Sequence, residues 1–193
     1  MSIRLSKLNK GFTLVELLVT IMIFVIMTAI LALRYGDFSK SIILTNLVYD
    51  VALAIRQAQS YGINVSDATP DGRDGDYSQS YGVYFNVNEP TKFILFRDDG
   101  SLKNFYVAGS DTIIKEYQIK NGNVLQNICY DTAVGATCGI SGIADSIVFA
   151  RPSPSPIISR GNRQALYLRF AAPDGSTQSV VVRSSGQISI ENQ

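Results

Sequence analysis

One stretch constrains this chain more than any other. From Phe12 to Leu33 the residues are mainly apolar and carry no charge except that of Glu16, near the start. A helix of that length reaches roughly 33 Å, enough for a hydrocarbon core of about 30 Å. Arg4, Lys7 and Lys10 precede the span, and Arg34 and Asp37 mark its far end. The positive-inside rule then keeps the N-terminus in the cytoplasm and sends the remainder outward. A carboxylate inside such a span is costly, and a residue of this kind normally has a partner and a task.

Two simpler readings compete. A secretory signal peptide has a shorter apolar region, lacks a carboxylate and closes on a small-x-small cleavage site. Here the far end reads Met27-Thr28-Ala29-Ile30-Leu31-Ala32-Leu33, a poor site for that cut. A plain membrane anchor explains neither Glu16 nor the junction Lys10-Gly11-Phe12 that opens the span.

Gly11-Phe12-Thr13-Leu14-Val15-Glu16, behind a short basic leader and ahead of a long apolar helix, resembles the type IV pilin and type II secretion pseudopilin superfamily. The resemblance covers about the first 35 residues. It implies that a prepilin peptidase cuts after Gly11, that Phe12 becomes a methylated N-terminus, and that Glu16 pairs with the terminal amine of a neighbouring subunit. Glu16 lies one helical turn from Phe12. A buried carboxylate is tolerable against a cationic amine, while either group alone is not.

The remaining length leaves room for one globular head. The formal net charge of +1 points to no strongly acidic or basic partner. His is absent, which removes the commonest general base and metal ligand. Serine, aspartate and cysteine show no recognisable catalytic spacing, so no enzyme is expected. No cofactor is expected, and two cysteines without His do not make a metal site. On the outer side of a membrane Cys129 and Cys138 form a disulfide by default, with two free thiols as the alternative. The residues between them read as a surface excursion.

Beyond the span the helical pattern continues through Gly36, a residue that loosens helices. Leu44, Val48, Val51, Ile55 and Ala58 recur at alternating steps of four and three, one face of an α-helix. Gly62 reads as its stop. Asp71-Gly72-Arg73-Asp74-Gly75-Asp76 offers oxygen ligands in the manner of a calcium loop, yet lacks EF-hand spacing and a distal Glu. A solvated turn is the preferred reading. Ser80–Val87 and Thr91–Arg97 then form a hairpin, with further strands at Thr112–Ile119, Val124–Tyr130 and Ser146–Ala150. The connector Arg151-Pro152-Ser153-Pro154-Ser155-Pro156 is stiff. It leads from this first sheet to a closing meander of Ala165–Ala171, Gln178–Arg183 and Gln187–Glu191.

The expected fold is α+β: a long N-terminal transmembrane-to-head helix packed on an antiparallel β-sheet head, pilin-like. The expected segments are a cleaved leader at 1–11, a membrane and assembly helix at 12–33, its amphipathic continuation at 34–62, and a β-rich head at 63–193. This layout is most similar to the GspH/FimT group of minor pseudopilins. That implies a single-pass inner-membrane protein with its head outside, which later enters a type IV pilus or type II secretion pseudopilus. The implied partners are other pilin or pseudopilin subunits, the prepilin peptidase, the inner-membrane assembly platform, and lipid before assembly.

An alternative function is a pilus-tip module that takes up DNA. Arginines outnumber acids from Arg151 onward, and Arg160-Gly161-Asn162-Arg163 is a basic turn able to meet phosphate. Arg160 and Arg163 are therefore the candidate DNA contacts. DNA-binding members of the group share a C-terminal Gly-Arg-x-Arg, where this chain reads Gly186-Gln187-Ile188-Ser189.

Overall fold

The computed structural model describes residues 11–64, 79–100, 102–132, 135–138, 144–150, 153–158 and 163–192, and of residues 33–41, 132, 135–137 and 192 the backbone alone. The Asp-rich turn and Arg160 lie outside these residues. The described elements make an α+β fold in which an N-terminal apolar helix is followed by antiparallel sheets. By internal packing the chain divides into two units, Met1–Ser39 and Lys40–Gln193.

The helix α1 spans Leu14–Ile63. In the first unit its side chains from Leu14 to Ala32 are all exposed. That stretch has a mean hydropathy of 2.7 and is long and apolar enough to cross a membrane. Being apolar all round, it finds no complementary surface in its own unit and needs lipid or other helices.

In the second unit the same helix turns amphipathic. Leu44, Val48, Val51, Ile55 and Ala58 are all buried. They pack into one core with the inner faces of two sheets. The first sheet contains β1 (Ser80–Asn86), β2 (Lys92–Asp98), β3 (Thr112–Gln118), β6 (Ala144–Phe149) and β7 (Pro156–Ile158), in the order β3-β2-β1-β6-β7. The second contains β4 (Val124–Thr132), β5 (Gly135–Cys138), β8 (Ala165–Ala171), β9 (Thr177–Arg183) and β10 (Ile188–Asn192), in the order β10-β9-β8-β4-β5. Every pairing is antiparallel.

Alternation sets which residues face the helix. Val83, Phe85, Phe93, Leu95, Ile147 and Phe149 point into the main core from the first sheet. On that sheet's other face Ile94, Phe96 and Val148 gather around Tyr106 from the β2–β3 connection. Gly82 sits opposite Phe96 in the ladder. A Cβ there would come within 2.9 Å of the Phe96 ring, so glycine gives the aromatic ring its seat.

Four expectations need correction. The strand β4 does not belong to the first sheet; it pairs with β8 of the closing meander, where Leu125, Ile128 and Tyr130 are buried. The region between the cysteines is not a plain excursion, because β4 continues to Thr132 and pairs back on β5. Part of the Pro-rich connector is also a strand, since Pro156 opens β7 on the edge of the first sheet. Gly62, read as a helix stop, lies within α1 and serves a close approach: a Cβ would fall 2.6 Å from the Phe149 carbonyl oxygen.

Candidate processing and assembly site

The junction starts with two residues outside the helix. Gly11 has open space around it, with nothing within 4 Å of where a Cβ would stand. Its backbone is not among the described left-handed positions. Among the described residues nothing therefore places a steric demand for glycine at this position. Phe12 follows with its ring 74% exposed.

Thr13 then caps the helix. Its hydroxyl accepts the Glu16 N–H at 3.2 Å, and its carbonyl accepts the Leu17 N–H at 3.2 Å. Thr13-Leu14-Val15-Glu16 thus has the residue pattern of a capping box, with Glu16 at the third helical position. A carboxylate in the first turn also meets the positive end of the helix dipole. This local role was missed above, although a Thr followed three residues later by Glu is a readable start signal.

The other polar side chains in the span are satisfied from within. The Thr20 hydroxyl donates to the Leu17 carbonyl at 2.8 Å. The Thr28 hydroxyl reaches the carbonyls of Phe24 and Val25 at 2.9 and 3.0 Å. Such back-bonding lets threonine sit in an apolar helix without exposing a polar atom. Glu16 is exposed, and among the described residues no cation lies within ion-pair distance of it.

The other residues singled out in the sequence lie in the second unit. Cys129 and Cys138 stand directly opposite each other on β4 and β5, bonded, with Cα atoms 4.2 Å apart. Cys129 is buried and Cys138 exposed. The Arg163 guanidinium carbon lies 5.5 Å from the centre of the Tyr130 ring, within cation–π range. Arg183 pairs with Glu191 at 3.6 Å. The Gly186 turn is engaged internally, since Gln59 donates to the carbonyls of Pro154 at 2.9 Å and Gly186 at 3.2 Å.

Buried acids hold the second unit together, and the sequence analysis did not single them out for this. The Tyr130 hydroxyl on β4 donates to the Asp145 carboxylate on β6, joining the two sheets through a short hydrogen bond. Asp145 also accepts the Ser146 N–H at 2.7 Å. In the β2–β3 connection Asp111 accepts N–H groups from Asp99, Gly100 and Val107 at 3.1, 2.7 and 2.6 Å. Asp98 accepts the Asn104 N–H at 2.7 Å. Burial pushes the Asp98 carboxyl above its ordinary range, against the pull of that N–H and of Lys103. Donors converge on these carboxylates, so they organise a loop rather than offer a cation site. Among the described residues no cluster of acids and cysteines is arranged to hold a metal.

Residues 6–32 match the family described as the prokaryotic N-terminal methylation motif. The match covers this N-terminal stretch alone and supports a type IV pilin-like, prepilin-type start to the chain. No curated protein and no solved structure gives a match.

Proposed function

We propose that this chain is a minor subunit of a type IV pilus or type II secretion pseudopilus, of the GspH/FimT kind. A prepilin peptidase cleaves it after Gly11, Phe12 is methylated, and the inner-membrane assembly platform loads it into a filament through its N-terminal helix. The observation that carries this reading is the solitary state of Glu16. Among the described residues of a span whose threonines bond within it, Glu16 is the one polar side chain with no side-chain partner. A carboxylate moved into apolar surroundings costs several kcal/mol unless it meets a cation. Cleavage before Phe12 creates an amine, and a neighbouring subunit brings that amine to Glu16. The open space around Gly11 among the described residues supports a requirement set by the peptidase instead.

Co-expression with a prepilin peptidase tests the first step by the mass of the mature N-terminus. Glu16→Ala tests the second. The variant is expected to be cleaved at the Gly11–Phe12 bond and yet be lost from sheared filaments. Uncleaved wild-type chain would refute the processing step, and normal incorporation of Glu16→Ala would refute the assembly contact.

A further inference from the structure

Four strands end the two sheets: β3 and β7 in the first, β5 and β10 in the second. An end strand offers unpaired backbone groups, and folds protect such edges with bulges, charges, prolines or brevity. Three of the four are protected in this way. In β3 Ile114 is an extra residue in the register, and Lys115 and Glu116 follow it. The strand β7 is three residues long and begins with Pro156. The strand β5 is four residues long and tied down by its disulfide.

The strand β10 has none of these devices. Its sequence, Ile188-Ser189-Ile190-Glu191-Asn192, holds no proline and no lysine. Its one charge pairs back to Arg183 on β9. The Arg183 N–H bonds the Gln187 carbonyl at 2.9 Å, closing the hairpin. Alternation along an antiparallel ladder then gives the β9-facing backbone groups to Ser189 and Glu191. The N–H and C=O groups of Ile188 and Ile190 face the other side, where no strand pairs among the described residues.

That side borders a groove of about 530 Å³, between β10 and the flank of α1. The helix contributes Tyr49 and Leu53, 62% and 65% exposed, large apolar groups left uncovered in a helix whose other face is fully packed. Asp50 and Arg56 also line it. One acid and one base offset each other, so recognition here rests on backbone hydrogen bonds and apolar contact. A nucleic acid or an anionic lipid would require a surplus of positive charge. A peptide backbone in extended form satisfies both the free edge and the apolar flank.

We propose that β10 is a strand-addition site, where an extended segment of another protein chain pairs with Ile188 and Ile190 and lays alternate apolar side chains on Tyr49 and Leu53. Strand addition draws affinity from main-chain hydrogen bonds and selectivity from alternate side chains. The site is separate from the N-terminal junction, so it stands whether or not Glu16 has its assembly role.

The test uses the full chain in detergent micelles and a fluorescent peptide with the sequence of Thr177–Arg183, the strand that β10 already accepts on its other side. Two control peptides carry N-methyl groups on either the odd or the even amides. Expected results are saturable binding, protection of the Ile188 and Ile190 amides from hydrogen exchange, and a loss of at least about tenfold for one methylated control. The exposed variant Leu53→Gln is expected to lose about tenfold as well. The absence of saturable binding near about 1 mM peptide, equal binding of both methylated controls, or protection confined to another strand would each overturn the proposal.

Discussion

Replacing Gly62 with alanine sets two effects of known size against each other. Alanine is favoured over glycine within a helix by about 1 kcal/mol, and on that ground alone the change would stabilise. The structure argues the opposite sign. An alanine Cβ would lie 2.6 Å from the Phe149 carbonyl oxygen, 2.7 Å from its Cβ and 3.0 Å from its carbonyl carbon. Ordinary carbon contacts lie at about 3.5–4.0 Å, so a movement of about 1 Å is required. Phe149 cannot yield readily. It is fully buried and paired on both sides, with Tyr81 of β1 and Pro156 of β7. The end of α1 must lift instead, which loosens Ile55 and Ala58 in the core. Overpacking of this kind costs about 1–3 kcal/mol. The propensity gain shrinks in the last turn, so a net loss of about 1–2 kcal/mol is expected. For a unit of this size that lowers the melting temperature by about 2–8 °C. Circular dichroism melts of the full chain in detergent would measure it. Phe149→Leu keeps all three clashing atoms, so the double variant is expected to show no rescue. A Gly62→Ala protein as stable as wild type, or rescue by Phe149→Leu, would refute the reasoning.

Other expectations follow from the buried groups. Tyr130→Phe removes the donor that joins the sheets at Asp145. It is expected to lower the unfolding free energy by about 2 kcal/mol in urea, while the ring under Arg163 is kept. Replacing Cys129 and Cys138 together with alanine opens a loop of nine positions, and a loss of about 2.5 kcal/mol is expected from chain entropy, read from the shift in the urea midpoint. Asp98 binds its proton more tightly when folded, because burial disfavours the carboxylate. Its contribution is therefore fullest below the ordinary value of 3.8 and is lost as pH rises through the raised value. Asp98→Asn keeps an acceptor for Asn104 and is expected to flatten that part of the stability profile, measured by urea midpoints from about pH 3.5 to about pH 7.

What could be read from the sequence depended on how locally each feature is encoded. The buried stripe from Leu44 to Ala58 repeats over several helical turns, and periodicity of that length is hard to mistake. The hairpin of β1 and β2 and the meander of β8 to β10 announce themselves by alternation and by turns such as Pro173-Asp174-Gly175. The strands β5 and β7 are too short to show a period, and Pro156 reads first as a connector. The placement of β4 was not legible for another reason. Asn121 and Gly122 have φ of 61° and 74°, an Asn-Gly turn of the kind that closes hairpins. Here it hands the chain from one sheet to the other. Its neighbours carry no signal of that choice, which depends on β8, a strand supplied much later in the chain. The groove at β10 was hidden likewise, since Tyr49 and Ile188 meet only in the folded unit.

The N-terminal junction was legible because its parts lie within a few consecutive residues, but its chemistry is weighed only by comparing magnitudes. Thr13 capping is worth about 1 kcal/mol, and a carboxylate in the first turn gains about 0.3–1 kcal/mol from the helix dipole. Those local terms make Glu16 a sensible first-turn residue for any exposed helix. They fall short of what an ionised carboxylate loses among apolar neighbours, which is several kcal/mol even after relaxation. A capping role alone would also be met by glutamine, without the charge. The difference has to come from a full positive charge close to the start of the helix. The basic leader carries such charges, but in the proposed function it is removed. In that same proposal the cut creates the amine on Phe12, so that cleavage supplies the cation at the step where Glu16 leaves water. Under the proposed function, processing and assembly are coupled by charge. An uncleaved subunit has no amine at Phe12 to offer its neighbour, and a Glu16 variant has nothing to receive one.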